Sequence, residues 1–231
     1  MRVLSVDSAA ASASAAAVDD GEVRAELVLC TGRTHSRHLM EMIDQVLRLA
    51  DWKPQDLDGL AVTRGPGSFT GLRIGISTVK GLSLALEKPV AGVSSLAALA
   101  LQCAVGRMPV CALIDGRKGE VYRGLYRLAG DTLAADGPEA VLPPAEAVGD
   151  VDRPTVFCGS GALLYRDLIR ERLGDLALFA PPGGDLIRAG SVAWLAMASL
   201  RHPENCRPER LLPRYIRRPD AETNPRNPIS D

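Results

Sequence analysis

Residues 64–75 read RGPGSFTGLRIG, and what this stretch joins decides the fold. An apolar run over 57–63 precedes it, and an amphipathic segment follows to about Leu86. The unit is therefore a strand, a glycine-rich turn and a helix start. Glycines at 65, 67, 71 and 75, with Pro66, let the backbone turn sharply and lie close to a neighbour. Ser68 and Thr70 are candidate caps for the first free N–H groups of the helix. Two uses of such a turn stay open. Gly65, Gly67, Ser68, Thr70, Gly71 and Arg73 could form an anion or nucleotide loop, because free amides and the helix dipole favour a phosphate. The same glycines could instead serve tight backbone packing. The spacing fits neither the dinucleotide G-x-G-x-x-G pattern nor a Walker loop.

At 231 residues, 46% of them hydrophobic, the chain can bury a real core in one large or two small domains. A formal net charge of -1 exerts no global pull on nucleic acid. If RNA is involved, a partner supplies much of the basic surface. Five cysteines, odd in number and without C-x-x-C spacing, suggest reduced thiols in a cytoplasmic protein. The opening alanine-rich stretch is broken by Asp7 and serines and leads into Asp19 and Asp20, so export is not expected. No apolar run is long enough to span a membrane.

Taken in order, 2–7 is a strand ending in a carboxylate. The Asp19-Asp20-Gly21 turn signal joins two further strands into a meander, the competing expectation being a helix over 9–17. A helical stripe follows over 34–51, with apolar residues Leu39, Met42, Ile43, Val46, Leu47 and Ala50. The helix after the glycine loop carries two stripes, Gly71, Gly75, Thr78, Leu82 and Ala85 on one and Leu72, Ile76, Val79 and Leu86 on the other. Apolar residues on two sides imply two things to bury against. A short strand over 89–93 and a helix capped by Ser94 or Ser95, reaching about Val105, complete the half. Near Gly106 the plan restarts: 110–115 is a strand with an acidic tip at Asp115, 116–119 a turn, and 120–128 its hairpin partner. Beyond lie a loose stretch over 130–151, a strand over 155–158, helices over 161–173 and 185–200, a short strand over 176–180, and a tail from Pro203 that reads as extended or partly disordered.

GPGSFTGLRIG resembles the hallmark of the TsaB family, bacterial proteins also called YeaZ. The resemblance extends through VLSVDS, THSRHLMEMID, GVSSLAALA, IDGRKGEVYRGLY and PRYIRR. The restarting plan, with acidic tips after Val6 and Ile114, is similar to the ASKHA superfamily of actin, sugar kinases and Hsp70. The implied fold is α/β and ASKHA-like, built of two ribonuclease-H-like domains, 1–106 with the glycine loop and a smaller 107–231 with an extended tail. The implied role is a non-catalytic subunit supporting transfer of a threonylcarbamoyl group to the adenosine next to the anticodon of tRNA. It would pair with the catalytic paralogue TsaD, act with the ATPase TsaE, and meet tRNA through the complex, with a homodimer as the alternative association. ATP would be used by the complex, with no cofactor held stably by this chain. The TsaD family carries a metal-binding H-x-x-x-H pair after the matching helix, and by position it falls here on Ser95 and Leu99, which cannot replace two imidazoles.

Other chemistry is thin. His35 and His38 are three apart, but no third ligand accompanies them, so no metal is expected. Asp7 and Asp115 could flank a nucleotide between the halves, or Asp7 caps a turn while Asp115 pairs with Arg117 or Lys118. No residue is assigned as catalytic. The rival class is an enzyme, an ATP-dependent ASKHA phosphotransferase or a glycoprotease-like hydrolase, opposed by the alanines after Asp7 and by the missing ligands. For the subunit reading, Leu39, Met42, Ile43 and Val46 with Leu72, Ile76 and Val79 are expected to form an apolar partner patch. Gly71 and Gly75 are expected to face the protein's own backbone.

Overall fold

In a computed structural model the chain is described over residues 1–30 and 38–217. β1 (Arg2–Asp7), β2 (Ala13–Asp19) and β3 (Glu22–Leu29) form the expected antiparallel meander, and the alanine run enters β2 as strand. Asp20 and Gly21 both take positive φ, 47° and 89°, as a two-residue Asp-Gly hairpin turn requires. α1 (Leu39–Leu49) crosses back to β4 (Gly59–Thr63), parallel to β1. α2 (Phe69–Leu86) leads to β5 (Val90–Val93), parallel to β4, and the sheet reads β3-β2-β1-β4-β5. α3 (Ser95–Cys103) then leaves the sheet.

The second half repeats the plan. β6 (Val110–Arg117), β7 (Glu120–Ala129) and β8 (Thr132–Ala135) are the meander, and β9 (Ala140–Leu142) adds to β7. β10 (Thr155–Cys158) and β11 (Ala177–Phe179) are parallel to β6, giving β11-β10-β6-β7-β8. α4 (Ser160–Leu164), α5 (Arg166–Leu173) and α6 (Ala189–Leu200) complete the chain. The stretch over 130–151 is thus not structureless, since two short strands lie within it, and the helix expected over 161–173 is two helices meeting at Tyr165.

The helix layers cross between the halves. α3 packs on β6, β7 and β10 of the second sheet, while α6 returns to cover β1, β2, β4 and β5 of the first. In β6, Val110, Ala112 and Ile114 therefore enter the large core shared by both sheets, and the alternate Cys111 and Leu113 enter a smaller core with Phe157, Ala162 and Ile169. Strands covered on both faces read as continuous apolar runs. A cut at residue 106 separates the strands of the two sheets but not these layers.

The tail expectation is corrected for its described part. Cys206 and Leu211 are buried, and Val90 N–H donates to Cys206 O at 2.9 Å. Arg214 N–H donates to Arg64 O at 2.6 Å, and the Arg214 guanidinium meets Glu139 at 2.9 Å. Residues 203–217 form a strap from the first sheet to the second, held by burial and hydrogen bonds that local sequence does not reveal. His35 and the start of the first expected helix lie outside the described residues.

Candidate functional site

The glycine loop enters α2 beneath the β1–β2 turn. Ser68 is the cap: its Oγ accepts the Gly71 N–H at 3.3 Å, whereas Thr70 lies exposed in the first turn. Ser68 N–H donates to Ala9 O at 2.7 Å. The glycine faces are filled by the protein itself. A Cβ on Gly67 would overlap the Ala9 carbonyl, one on Gly71 the Ser8 carbonyl, one on Gly75 the Ser8 hydroxyl, and one on Gly65 the Arg214 carbonyl. Ser8 Oγ donates to Gly71 O at 2.8 Å. The Arg73 guanidinium lies 3.7 Å over the Phe69 ring, which stacks on Tyr215 at 5.0 Å. Of the two uses left open by the sequence, this geometry is that of a packing turn. Two amides an anion would need are already engaged, and the β1–β2 turn fills the space it would enter.

The two acidic tips share one local construction. Asp7 Oδ1 accepts the Ala9 N–H at 3.1 Å and Asp115 Oδ1 accepts the Arg117 N–H at 2.8 Å, each carboxylate closing a turn two residues on. Asp115 thus engages the Arg117 backbone. Asp7 is fully buried, and Thr63 Oγ1 donates to its Oδ1 at 2.5 Å while Oδ2 has no partner among the described residues. Burial pushes its carboxyl up to about 7, against the downward pull of hydrogen bonds from Thr63, Ala9 and Ser8.

Ser95 and Leu99 sit on α3, 0% and 1% exposed, with Ser95 Oγ without a partner among the described residues and Leu99 in the core shared by both sheets. The residues present do not fit the metal that the paralogous pattern would hold, because Leu99 offers no donor atom and its side chain is packed. No group of three His, Cys, Asp or Glu able to hold a metal ion occurs among the described residues. His38 Nδ1 lies 3.1 Å from Glu41 on the same helix. A largely apolar cavity of about 570 Å³ at the end of β10, lined by Phe157, Phe179 and Arg166, is built from residues outside the loop and both tips.

The expected partner patch is corrected by burial. Leu39, Met42, Ile43, Val46, Leu72, Ile76 and Val79 are all at most 6% exposed and belong to the chain's own core. α1 lies on β2 and β3, and α2 on β4, β1 and β5. The physical reason is helical geometry: buried Gly71, Leu72, Gly75, Ile76, Val79 and Ser83 share one arc of about 140°. What the sequence divides into two stripes is one face. The outward arc of α2 carries Thr70, Arg73, Ser77, Gly81 and Leu84, with Leu84 64% exposed. On α1, Met40 and Leu49 are exposed as well. Gly81 is the residue sequence reasoning missed, since a Cβ there would meet nothing within 4 Å. A glycine inside a helix costs about 1 kcal/mol relative to alanine, so one with open space around it has no use within the chain.

Glu139 also escaped notice. Nearly buried, it accepts hydrogen bonds from the Ser94 and Tyr126 hydroxyls and pairs with Arg214, tying α3, β7 and the strap together.

Comparison with known proteins adds a family-level finding. The family model described as "TsaD: tRNA N6-adenosine threonylcarbamoyltransferase" matches residues 29–224. The tRNA threonylcarbamoyladenosine biosynthesis protein TsaB of Bacillus subtilis is 30% identical over 225 residues, covering 96% of both chains. The solved structure of YeaZ from Pseudomonas aeruginosa superposes with a TM-score of 0.81 at 33% identity, covering 93% of this chain and 99% of that one. A ROK hexokinase from Thermus thermophilus, 15% identical with a TM-score of 0.50 over 86% of this chain and 99% of its own, is similar in fold alone. The architecture is thus α/β and ASKHA-like.

Proposed function

Since the chain belongs to the TsaB (YeaZ) family, we propose that it serves threonylcarbamoyladenosine formation in tRNA as a non-catalytic subunit, pairing with the paralogue TsaD and acting with the ATPase TsaE. The observation that carries this reading is the closed glycine loop. An anion held at a helix start needs free backbone amides and room to reach them, and here Ser8 and Ala9 occupy that space. Leu99, in the position of a metal ligand, supports the same conclusion.

A subunit without its own chemistry acts by binding. The outward arc of α2 is the surface we assign to TsaD, with Ser77 and Gly81 letting a partner helix approach closely and Leu84 supplying the apolar anchor. A second copy of the chain would use the same face when TsaD is absent.

The test is a Gly81→Leu, Leu84→Asp double variant, co-purified with TsaD and melted alone. Loss of TsaD with an unchanged or higher melting temperature is expected, because leucine in an exposed helix is a better helix former than glycine. Full retention of TsaD would refute the assigned face.

A further inference from the structure

The concave surface behind the strap carries charge that the fold does not use. A cavity of about 470 Å³ is bounded by Val90, Ala91 and Gly92 of β5, by the end of α6, and by the two short 3-10 turns Pro203–Asn205 and Pro208–Arg210. Arg64, Arg207, Arg210 and His202 line it. His202 already has a carboxylate, Glu204 Oε1 at 3.6 Å from its Nδ1. The three guanidiniums have neither a carboxylate within 4 Å nor a hydrogen-bond partner among the described residues. Some arginines elsewhere are paired, as Arg123 with Asp150, Arg188 with Glu26 and Arg214 with Glu139, and others such as Arg73 and Arg166 lie over phenylalanine rings; here three without either use line one concavity. Three guanidiniums lining one concavity make a locally positive surface that suits an anion.

Arg64 is held on the sheet, while Arg207 and Arg210 reach out exposed from the short turns. Arg64 N–H donates to Val93 O at 2.9 Å, its carbonyl accepts from Arg214 N–H, and its side-chain stem lies against Gly92, where an added Cβ would sit 3.0 Å from Arg64 Cδ. Arg210 is next to Leu211, which is buried. Guanidinium groups so placed suit the oxygens of a phosphate. No Phe, Tyr or Trp ring lines the cavity.

We propose that this cavity is a phosphate-binding site and that the phosphate it takes belongs to the backbone of RNA. The assignment rests on the tRNA-modification reading above, which brings an RNA to the molecule. A contact made to phosphate positions the RNA without reading its sequence. A chain of near-neutral net charge thereby holds one local basic seat.

The test uses the full chain co-purified with TsaD and a labelled, unmodified tRNA transcript, with affinity measured by anisotropy at several salt concentrations. Arg207→Gln with Arg210→Gln is expected to weaken binding about tenfold and to flatten the slope of log affinity against log salt by about 1 to 2. Arg207→Lys with Arg210→Lys should keep most of the slope, and melting temperature and TsaD pairing should not change in either. Competition of the transcript by inorganic phosphate supports the site. Unchanged affinity and slope in the Gln variant, with pairing intact, overturns it. So does ATP binding that the Gln variant loses while tRNA binding stays as it was, which would make the seat a nucleotide's. Failure of the underlying reading looks different, because modification would then proceed without this chain at all.

Discussion

Asp7 makes the stability of the folded chain fall as pH rises through neutrality. The ordinary carboxyl value of 3.8 applies to the unfolded chain and about 7 to the folded one, a gap of a little over 3 units. The folded state therefore holds a proton between pH 4 and 7 that the unfolded state has released. Stability from this group is complete below about pH 4 and is lost as pH rises through about 7. At about 1.4 kcal/mol per unit the ceiling is about 4 kcal/mol. Asp20 and Asp152, lowered by hydrogen bonds from the N-terminal ammonium and from Arg153, matter in acid, and the raised Met1 ammonium matters above pH 8. Asp7→Asn isolates the effect, since the Asn side-chain oxygen can still accept from Thr63 and Ala9. Urea unfolding at pH 5, 6, 7 and 8 should show the wild type losing stability relative to the variant by up to about 1.4 kcal/mol per unit, chiefly between pH 5 and 7. By pH 8 Asp7→Asn should be the more stable protein. A difference between the two that stays constant from pH 5 to 8 would refute the reasoning.

Gly71→Ala drives a methyl into the Ser8 carbonyl in a buried turn and should cost about 3 kcal/mol in urea unfolding, well beyond the ordinary gain of alanine in a helix. Ile76→Glu places a carboxylate at a site 4% exposed and should leave little folded protein by circular dichroism, so that any failure to bind partners follows from unfolding. Leu211→Ala, in the strap, should cost about 2 to 3 kcal/mol because that side chain is 5% exposed; a loss near zero would mean the strap does not hold.

Much of the fold is legible in short-range signals. The Asp20–Gly21 turn, the acidic tips, the glycine loop and the restart after Gly106 each depend on residues within a few positions of one another. The interface was misread for a geometric reason. Gly71 and Gly75 look different from Leu72, Ile76 and Val79, yet all five lie on one arc of α2, small residues meeting the β1–β2 turn and large ones meeting the sheet. Residue type separated what helical angle unites. The strap was invisible because Cys206 and the Leu211-Leu212 pair are sparse apolar residues among prolines and arginines, and only contact with β5 and Gly92 gives Cys206 and Leu211 a place. β8 and β9 are short edge strands in a segment rich in glycine and proline, too brief for alternation to register. The crossing of α3 and α6 between sheets depends on pairings far apart in sequence. Gly81 was within reach, as a glycine in mid-helix outside the packing arc asks for a reason beyond the chain.

The claim that this chain is a required but non-catalytic subunit is tested most directly by reconstituting threonylcarbamoylation of a tRNA transcript with TsaD, TsaE and an activated threonylcarbamoyl donor, with and without it. Modification is expected only when the chain is present, and restoring it with the Gly81→Leu, Leu84→Asp variant should fail. Full modification in its absence would contradict the claim, as would modification by this chain without TsaD.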